Sequence, residues 1–186
     1  MKKGPVVIDA CCMLNLLATK REVDIVGALE IHLLETEFVS RETLFLWTEP
    51  DGDGLRHKEP ASTENLRKAG LLETHQLDTE PLVDTFVFAA ERVKDSDASC
   101  IALAGVLKLP LLTDDRKERR IATDMFPAIE LLSTLDVLAS AAPALTWNDD
   151  DLGVVASDLR WRGNFVPPRK DPRSEWYLAL LERSNA

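Results

Sequence analysis

The sequence predicts an α/β domain with a central, mostly parallel sheet. Three observations predict it. Two short apolar runs, Pro5-Val6-Val7-Ile8 and Leu109-Pro110-Leu111-Leu112, lack polar alternation, as strands buried on both faces do. Each run ends on acid: Asp9 after the first, Asp114 and Asp115 beyond the second. Strand-like segments then alternate with segments of helical spacing, in a chain of 186 residues and 45% apolar content that suits one domain with a sizeable core.

The elements follow in order. After Asp9, Leu14, Leu16, Leu17 and Ala18 continue in helical spacing. The pattern predicts a second helix from about Asp24 to Thr36, with Ile25, Leu29, His32 and Leu33 on one face, and a strand over 37–40. Glu42 opens another apolar segment, and residues 50–62, with Pro50, Gly52, Gly54 and Pro60, read as an exposed loop or hairpin. A short helix and a strand near 73–77 come next. Pro81 opens a helix whose apolar face is Leu82, Phe86, Ala89, Ala90 and Val93. Lys94-Asp95-Ser96-Asp97 breaks that pattern, with Asp95 or Ser96 as the expected cap of a helix carrying Ala98, Ile101, Ala102, Gly105 and Val106. A strand over 109–113, a basic-then-apolar helix over 116–125, a strand over 128–132 and a helix over 134–141 complete the alternation. After Pro143 the character shifts to an acidic helix start at 148–151 and a tail rich in Trp147, Trp161, Phe165, Trp176 and Tyr177. The expected organisation is a domain over 1–143 and a helical appendage over 144–186 that buries its aromatics against it.

With 22 Lys plus Arg against 32 Asp plus Glu, the net charge is −10. That excludes a nucleic-acid coat protein and a binder of anionic membrane, which need basic surfaces. It leaves room for a nuclease that recruits a divalent cation. Cys11, Cys12 and Cys100, odd in number and partly adjacent, suit buried small side chains in a reducing cytoplasm better than a disulfide framework. No apolar stretch approaches the ~20 residues of a membrane helix, so a cytoplasmic protein with no membrane partner is expected.

In a parallel sheet, ligands bind outside the carboxyl ends of the strands. Asp9 and the Asp114-Asp115 pair are delivered there, Asp97 starts a helix within reach, and Glu42, with Glu49 as its substitute, follows the second predicted strand. Carboxylates gathered in one cleft need a cation to stay ionised. Oxygen donors alone favour Mg2+ or Mn2+ over zinc, because His32, His57 and His75 have no metal-ligand spacing. Asp95 and Asp114 are expected as supporting or solvent-facing neighbours.

These residues carry a resemblance. Val6-Val7-Ile8-Asp9 through Ala18, Asp97-Ala98-Ser99-Cys100-Ile101-Ala102-Leu103-Ala104, and Leu111-Leu112-Thr113-Asp114-Asp115-Arg116 through Ala122 resemble three ordered motifs of the PIN-domain nucleases, the fold of VapC-like toxins; Glu42-Thr43-Leu44-Phe45-Leu46 is similar to the segment of the second acid. The similarity spans roughly residues 5–140. It implies a Rossmann-like α/β/α sandwich with a five-stranded parallel sheet, and a metal-dependent endoribonuclease. By motif position Asp9, Glu42, Asp97 and Asp115 form the acidic quartet, with Asp9, Asp97 and Asp115 holding Mg2+ or Mn2+. Thr113 then orients Asp115 or a metal water, and Asn15 supports the first acid. The chain departs from the family at Cys11, where a Ser or Asn is common, and in its loop over 50–62 and its C-terminal segment.

RNA needs positive contacts. Arg116, Lys117, Arg119 and Arg120 beside Asp115 could hold flanking phosphates or form a solvated face. From Arg160 to Arg173, five basic residues oppose Asp171 alone, with Trp161 and Phe165 interleaved, which suits single-stranded RNA or simple docking of the tail. The toxin reading implies an antitoxin partner and a homodimer. The alternative reading is a catalytically silent PIN-like module that binds a partner protein. A phosphatase of the haloacid-dehalogenase kind wants a second Asp two residues after the first, where Cys11 stands.

Overall fold

The computed structural model describes residues 3–42, 44–48 and 50–184. Glu49 lies outside the described residues. In chain order the elements are β1 (Gly4–Ile8), α1 (Ala10–Ala18), α2 (Glu22–Ala28), β2 (Ile31–Thr36), α3 (Glu37–Ser40), β3 (Phe45–Trp47), β4 (Lys58–Pro60), α4 (Glu64–Lys68) and β5 (Leu72–His75). They continue with α5 (Glu80–Ala90), α6 (Asp95–Leu107), β6 (Leu111–Leu112), α7 (Arg116–Met125), β7 (Leu131–Leu132), α8 (Thr134–Ala144), α9 (Asp149–Trp161) and α10 (Ser174–Ser184).

Five strands form one parallel sheet in the order β5-β2-β1-β6-β7. β1 is central, pairing Val6 with Leu33 on one side and Ile8 with Leu112 on the other. Its apolar run is needed because both faces are covered. Val6 and Ile8 point into a core shared with α1, α2, α8 and α9, whereas Val7 points into a second core with α5, α6 and α7. The chain first builds outward from β1 through β2 to β5, then crosses to the other side for β6 and β7. The reversal falls between β1 and β6, the crevice where ligands of such sheets bind.

Two expectations fail around residues 24–40. The predicted helix over 24–36 is instead α2, ending at Ala28, followed by strand β2, and the predicted strand over 37–40 is the short helix α3. Glu30 turns the chain with a left-handed φ of 52°, so no glycine marks the break. Ile31, Leu33 and Leu34 fit helical spacing on paper, but parallel pairing to both β1 and β5 outweighs that local preference. Thr36 then caps α3 by accepting the Val39 N–H at 3.3 Å. The loop over 50–62 is a hairpin at its base, with β3 and β4 antiparallel. At α6 the capping position falls on Lys94, which makes no side-chain cap, rather than on Asp95 or Ser96.

The C-terminal segment is stitched to the core. Asn148 and Asp151 form a reciprocal capping box at the start of α9. Leu152, Val155, Leu159, Phe165, Tyr177 and Leu180 join the core of Val6 and Ile8. Tyr177 is fully buried, meets the Phe165 ring edge-on at 5.3 Å, and donates its hydroxyl to the Ala156 carbonyl at 3.1 Å. Burial pushes its phenol pKa up. Among the described residues no helix is long and apolar enough to cross a membrane. Tyr177→Ala is expected to cost about 3–5 kcal/mol, as for other large aromatics removed from cores, and to lower one cooperative melting transition followed by circular dichroism. Two separated transitions would show that the tail folds apart from the sheet.

Candidate active site

The site starts from a strand end. Asp9 follows β1 directly and caps α1, accepting the Cys12 N–H at 2.6 Å, and only 3% of it is exposed. The cap explains why the carboxylate stays where the strand drops it. Burial raises its pKa to about 6; the Cys12 N–H and the Thr113 hydroxyl pull the other way, and Asp114 adds to the rise.

The end of β6 supplies the next group. Asp115 caps α7, accepting the Glu118 N–H at 2.8 Å, with its own N–H on the Thr113 hydroxyl at 3.1 Å. That geometry turns Glu118 inward, where it is completely buried. Thr113 donates to Glu118 Oε2 at 2.7 Å, while Glu118 Oε1 is buried with no hydrogen-bond partner among the described residues. Burial drives the Glu118 pKa well above the glutamate range, and Asp9, Asp97 and Asp115 push it the same way. Asp97, in the first turn of α6, is raised by its burial, opposed by Lys94 and reinforced by Asp115 and Glu42.

Lys94 is the local counter-charge. Its ammonium lies 3.5 Å from Glu42 and 3.5 Å from Asp97. Burial works against its charge, but Asp97 and Glu42 overcome that and raise its pKa. The Cys11 thiol shares this environment: burial first, then Asp9, lift it to about 12, with Lys94 opposing, so it stays a thiol.

Four predicted acids, Asp9, Glu42, Asp97 and Asp115, thus feel one another, directly or through Lys94 and Glu118, at one edge of the sheet. Asp95 faces solvent instead. Asn15 hydrogen-bonds Asp114 rather than Asp9. It donates to Asp114 Oδ2 at 3.1 Å and to the Thr134 hydroxyl at 3.0 Å. Asp114 also accepts the Thr134 hydroxyl at 2.6 Å and the Thr134 N–H at 3.0 Å, so it ties α1 to α8 behind the cleft. Thr113 holds Asp115 through its N–H and Glu118 through its carboxylate. Of the basic quartet, Arg119 is committed to the Thr113 and Leu132 carbonyls at 2.7 and 2.9 Å, while Arg116, Lys117 and Arg120 are exposed.

Glu118 and Lys94 were not among the predicted residues. A signal for Glu118 exists in Asp115-Arg116-Lys117-Glu118, the spacing of a helix cap and its third residue, which turns that Glu back toward the cap.

A family model described as a PIN domain matches residues 5–161. The chain belongs to the PIN-domain family. No curated protein and no solved structure matches it. The fold is therefore of nuclease type, in a family whose members are generally metal-dependent hydrolases. The match covers β1 through α9 and stops before the strap and helix that follow Trp161.

The donors of this PIN domain suit a hard divalent ion in chemistry: carboxylate oxygens, with the buried Glu118 Oε1 aimed at nothing among the described residues. As they stand, no three of the described acids, histidines or cysteines enclose an ion position.

Folding raises the pKa of Asp9 from its ordinary 3.8 to about 6, so the folded protein holds a proton that the unfolded chain has lost. The stabilisation is complete below 3.8 and disappears as pH climbs through about 6. Without divalent ions, the protein is expected to melt lower at pH 7.5 than at pH 5.5 in chelator. Asp9→Asn should then be more stable than wild type at pH 7.5 by on the order of 2–3 kcal/mol, since each tenfold gain in proton affinity is worth about 1.4 kcal/mol. A metal-free Asp9→Asn protein that melts below wild type at pH 7.5 contradicts this account.

Proposed function

We propose that the protein is a metal-dependent endoribonuclease acting in the cytoplasm. The observation that carries the reading is the pair of Asp9 and Glu118. Both are buried, both are pushed toward the neutral form, and one Glu118 oxygen is unpartnered among the described residues. Two such acids at the switch point of a parallel sheet have no structural purpose that a neutral pair would not serve better.

Asp9, Asp97 and Asp115 would hold Mg2+ or Mn2+, and the ion would supply activated water and charge stabilisation on the scissile phosphate. The chain's own residues do the rest. Lys94 swings from Asp97 and keeps Glu42 neutralised. Thr113 fixes the Glu118 carboxylate through Oε2, leaving Oε1 to accept a proton. Burial pushes the Glu118 pKa up, and a carboxylate of raised proton affinity suits a general base. As a toxin the protein would pair with an antitoxin and form a homodimer; a small antitoxin gene beside its own would support that role.

One observation favours a second reading, a catalytically silent PIN-like module that binds a partner protein. Lys94 already supplies positive charge between Glu42 and Asp97. The two readings separate by experiment. The nuclease should bind Mn2+ in calorimetry and cleave single-stranded RNA, with Asp9→Asn and Asp97→Asn abolishing both, and Glu118→Gln slowing cleavage by about 10²-fold or more. Absence of Mn2+ binding by the wild type would establish the silent module. RNA cleavage unchanged in Asp9→Asn would remove this site from the reaction.

A further inference from the structure

Beside the acidic cleft lies a second cavity, of about 660 Å3, lined by charges of both signs. Its floor is the start of α7 and α8, with Asp114, Arg116, Arg119, Ser133 and Asp136. Its roof is the segment 168–172, which lies beyond the family match. The volume falls within the ~300–1,000 Å3 of ordinary ligand sites.

The roof is a built strap. Pro168 and Pro172 flank Arg169 and Lys170 and restrict the backbone. The Asp171 N–H donates to the Pro168 carbonyl at 2.8 Å, as does the Ser174 hydroxyl at 2.8 Å, closing a turn with Arg169 and Lys170 at its tip. The Arg173 N–H donates to Asp171 at 2.8 Å, and the Arg173 guanidinium pairs with Asp136 in the first turn of α8, pinning the strap to the sheet edge. Phe165, buried on Tyr177, anchors its other end.

The charges around the cavity are unequally committed. Each acid is already engaged: Asp114 by Asn15 and Thr134, Asp136 by Ser133 and Arg173, Asp171 by the Arg173 N–H. The side chains of Arg116, Arg169 and Lys170 make no ion pair or hydrogen bond with any described residue. The amino ends of α7 and α8, of 10 and 11 residues, add partial positive charge at the same floor. Three uncommitted cations facing one cavity suit an anion. Asp114 lines the cavity and lies close enough to Asp9 for its charge to act on it, so the anion would sit beside the acid cluster.

We infer that the strap cavity is a phosphate subsite, in which Arg116, Arg169 and Lys170 hold a backbone phosphate of single-stranded RNA that flanks the bond placed over the acids. This rests on the nuclease reading for the identity of the polymer, and it gives the C-terminal strap a role in substrate binding. It also meets the electrostatic need of an acidic protein: the cleft repels RNA, and the strap supplies the grip beside it.

The test uses the full chain and a fluorescein-labelled single-stranded oligoribonucleotide in chelator, with binding followed by anisotropy at several salt concentrations. Arg169→Glu/Lys170→Glu is expected to weaken binding at least about tenfold. In Arg169→Gln/Lys170→Gln the salt slope should fall by about 0.7, the loss of one single-strand phosphate contact. Mn2+ binding in calorimetry should stay at the wild-type value in both variants. Variants that bind RNA like wild type overturn the subsite, and so does a wild type that fails to bind RNA at all. A mononucleotide that competes as well as the oligonucleotide would also overturn it, by showing a small-molecule pocket. The nuclease reading fails independently, if RNA is held through the strap and yet is never cut with Mg2+ or Mn2+.

Discussion

Five carboxylates and one ammonium share the edge of the sheet between β1 and β6, and most of the local structure is arranged around that imbalance. Asp9 cannot move away from it. The central strand carries it to this point, and its oxygen is needed to cap α1. Glu118 is equally fixed, by Thr113 on one side and by the Asp115 cap on the other. Burial makes ionisation of either acid costly, and proximity makes ionisation of both costlier still. Lys94 relieves the outer pair, Glu42 and Asp97. Its ion pairs stop there, so the uncompensated charge lies deepest in the cleft, at Asp9 and Glu118. On the nuclease reading, a divalent ion would answer that charge.

Behind the cleft, Asp114 does a different task with the same side-chain chemistry. Its neighbour Asp115 is exposed and caps α7, while Asp114 faces inward and collects Asn15, Thr134 and the Cys12 thiol. Three neutral donors hold its charge without a cation. The consequence is rigidity: α1, which Asp9 caps, and α8, which packs on the same face, are joined through one carboxylate. Adjacent acids of one strand end thus separate into an inward anchor and an exposed helix cap, according to which donors each can reach.

Much of this was legible in the chain. The apolar runs before Asp9 and before Asp114 marked the two strands of the switch point, and the order of the acid-bearing motifs placed Asp97 nearby. The five-stranded parallel sheet follows the family resemblance. What stayed hidden had physical causes. β2 hid inside a helical pattern because Glu30, rather than a glycine, takes the left-handed turn, and because the strand's identity is decided by its two neighbours in the sheet. Glu118 sits in a run of basic residues that reads as a solvated face, and only the cap at Asp115 turns it inward. Asn15 has the right spacing to support Asp9, yet Thr134 and Asp114 become its partners once α8 is packed, a long-range fact with no local trace. Lys94 belongs to a segment that looks like a helix start full of caps, so its role as counter-charge depended on where α6 meets Glu42.

The net charge of −10 looks different when it is divided by place. Acids dominate the crevice and the segment over 35–53, whereas the strap after α9 carries uncommitted cations back to the same edge. A uniformly basic surface would hold RNA in many registers, and a uniformly acidic one would hold none. On the proposed reading, placing the cations beside the acids, on a proline-flanked turn tied to α8 by Arg173, would favour one register, with a phosphate on the strap and the next bond over the carboxylates. In that arrangement the excess of acid would sharpen positioning: contacts elsewhere on the protein would be repulsive, so the few attractive ones would decide where the strand lies.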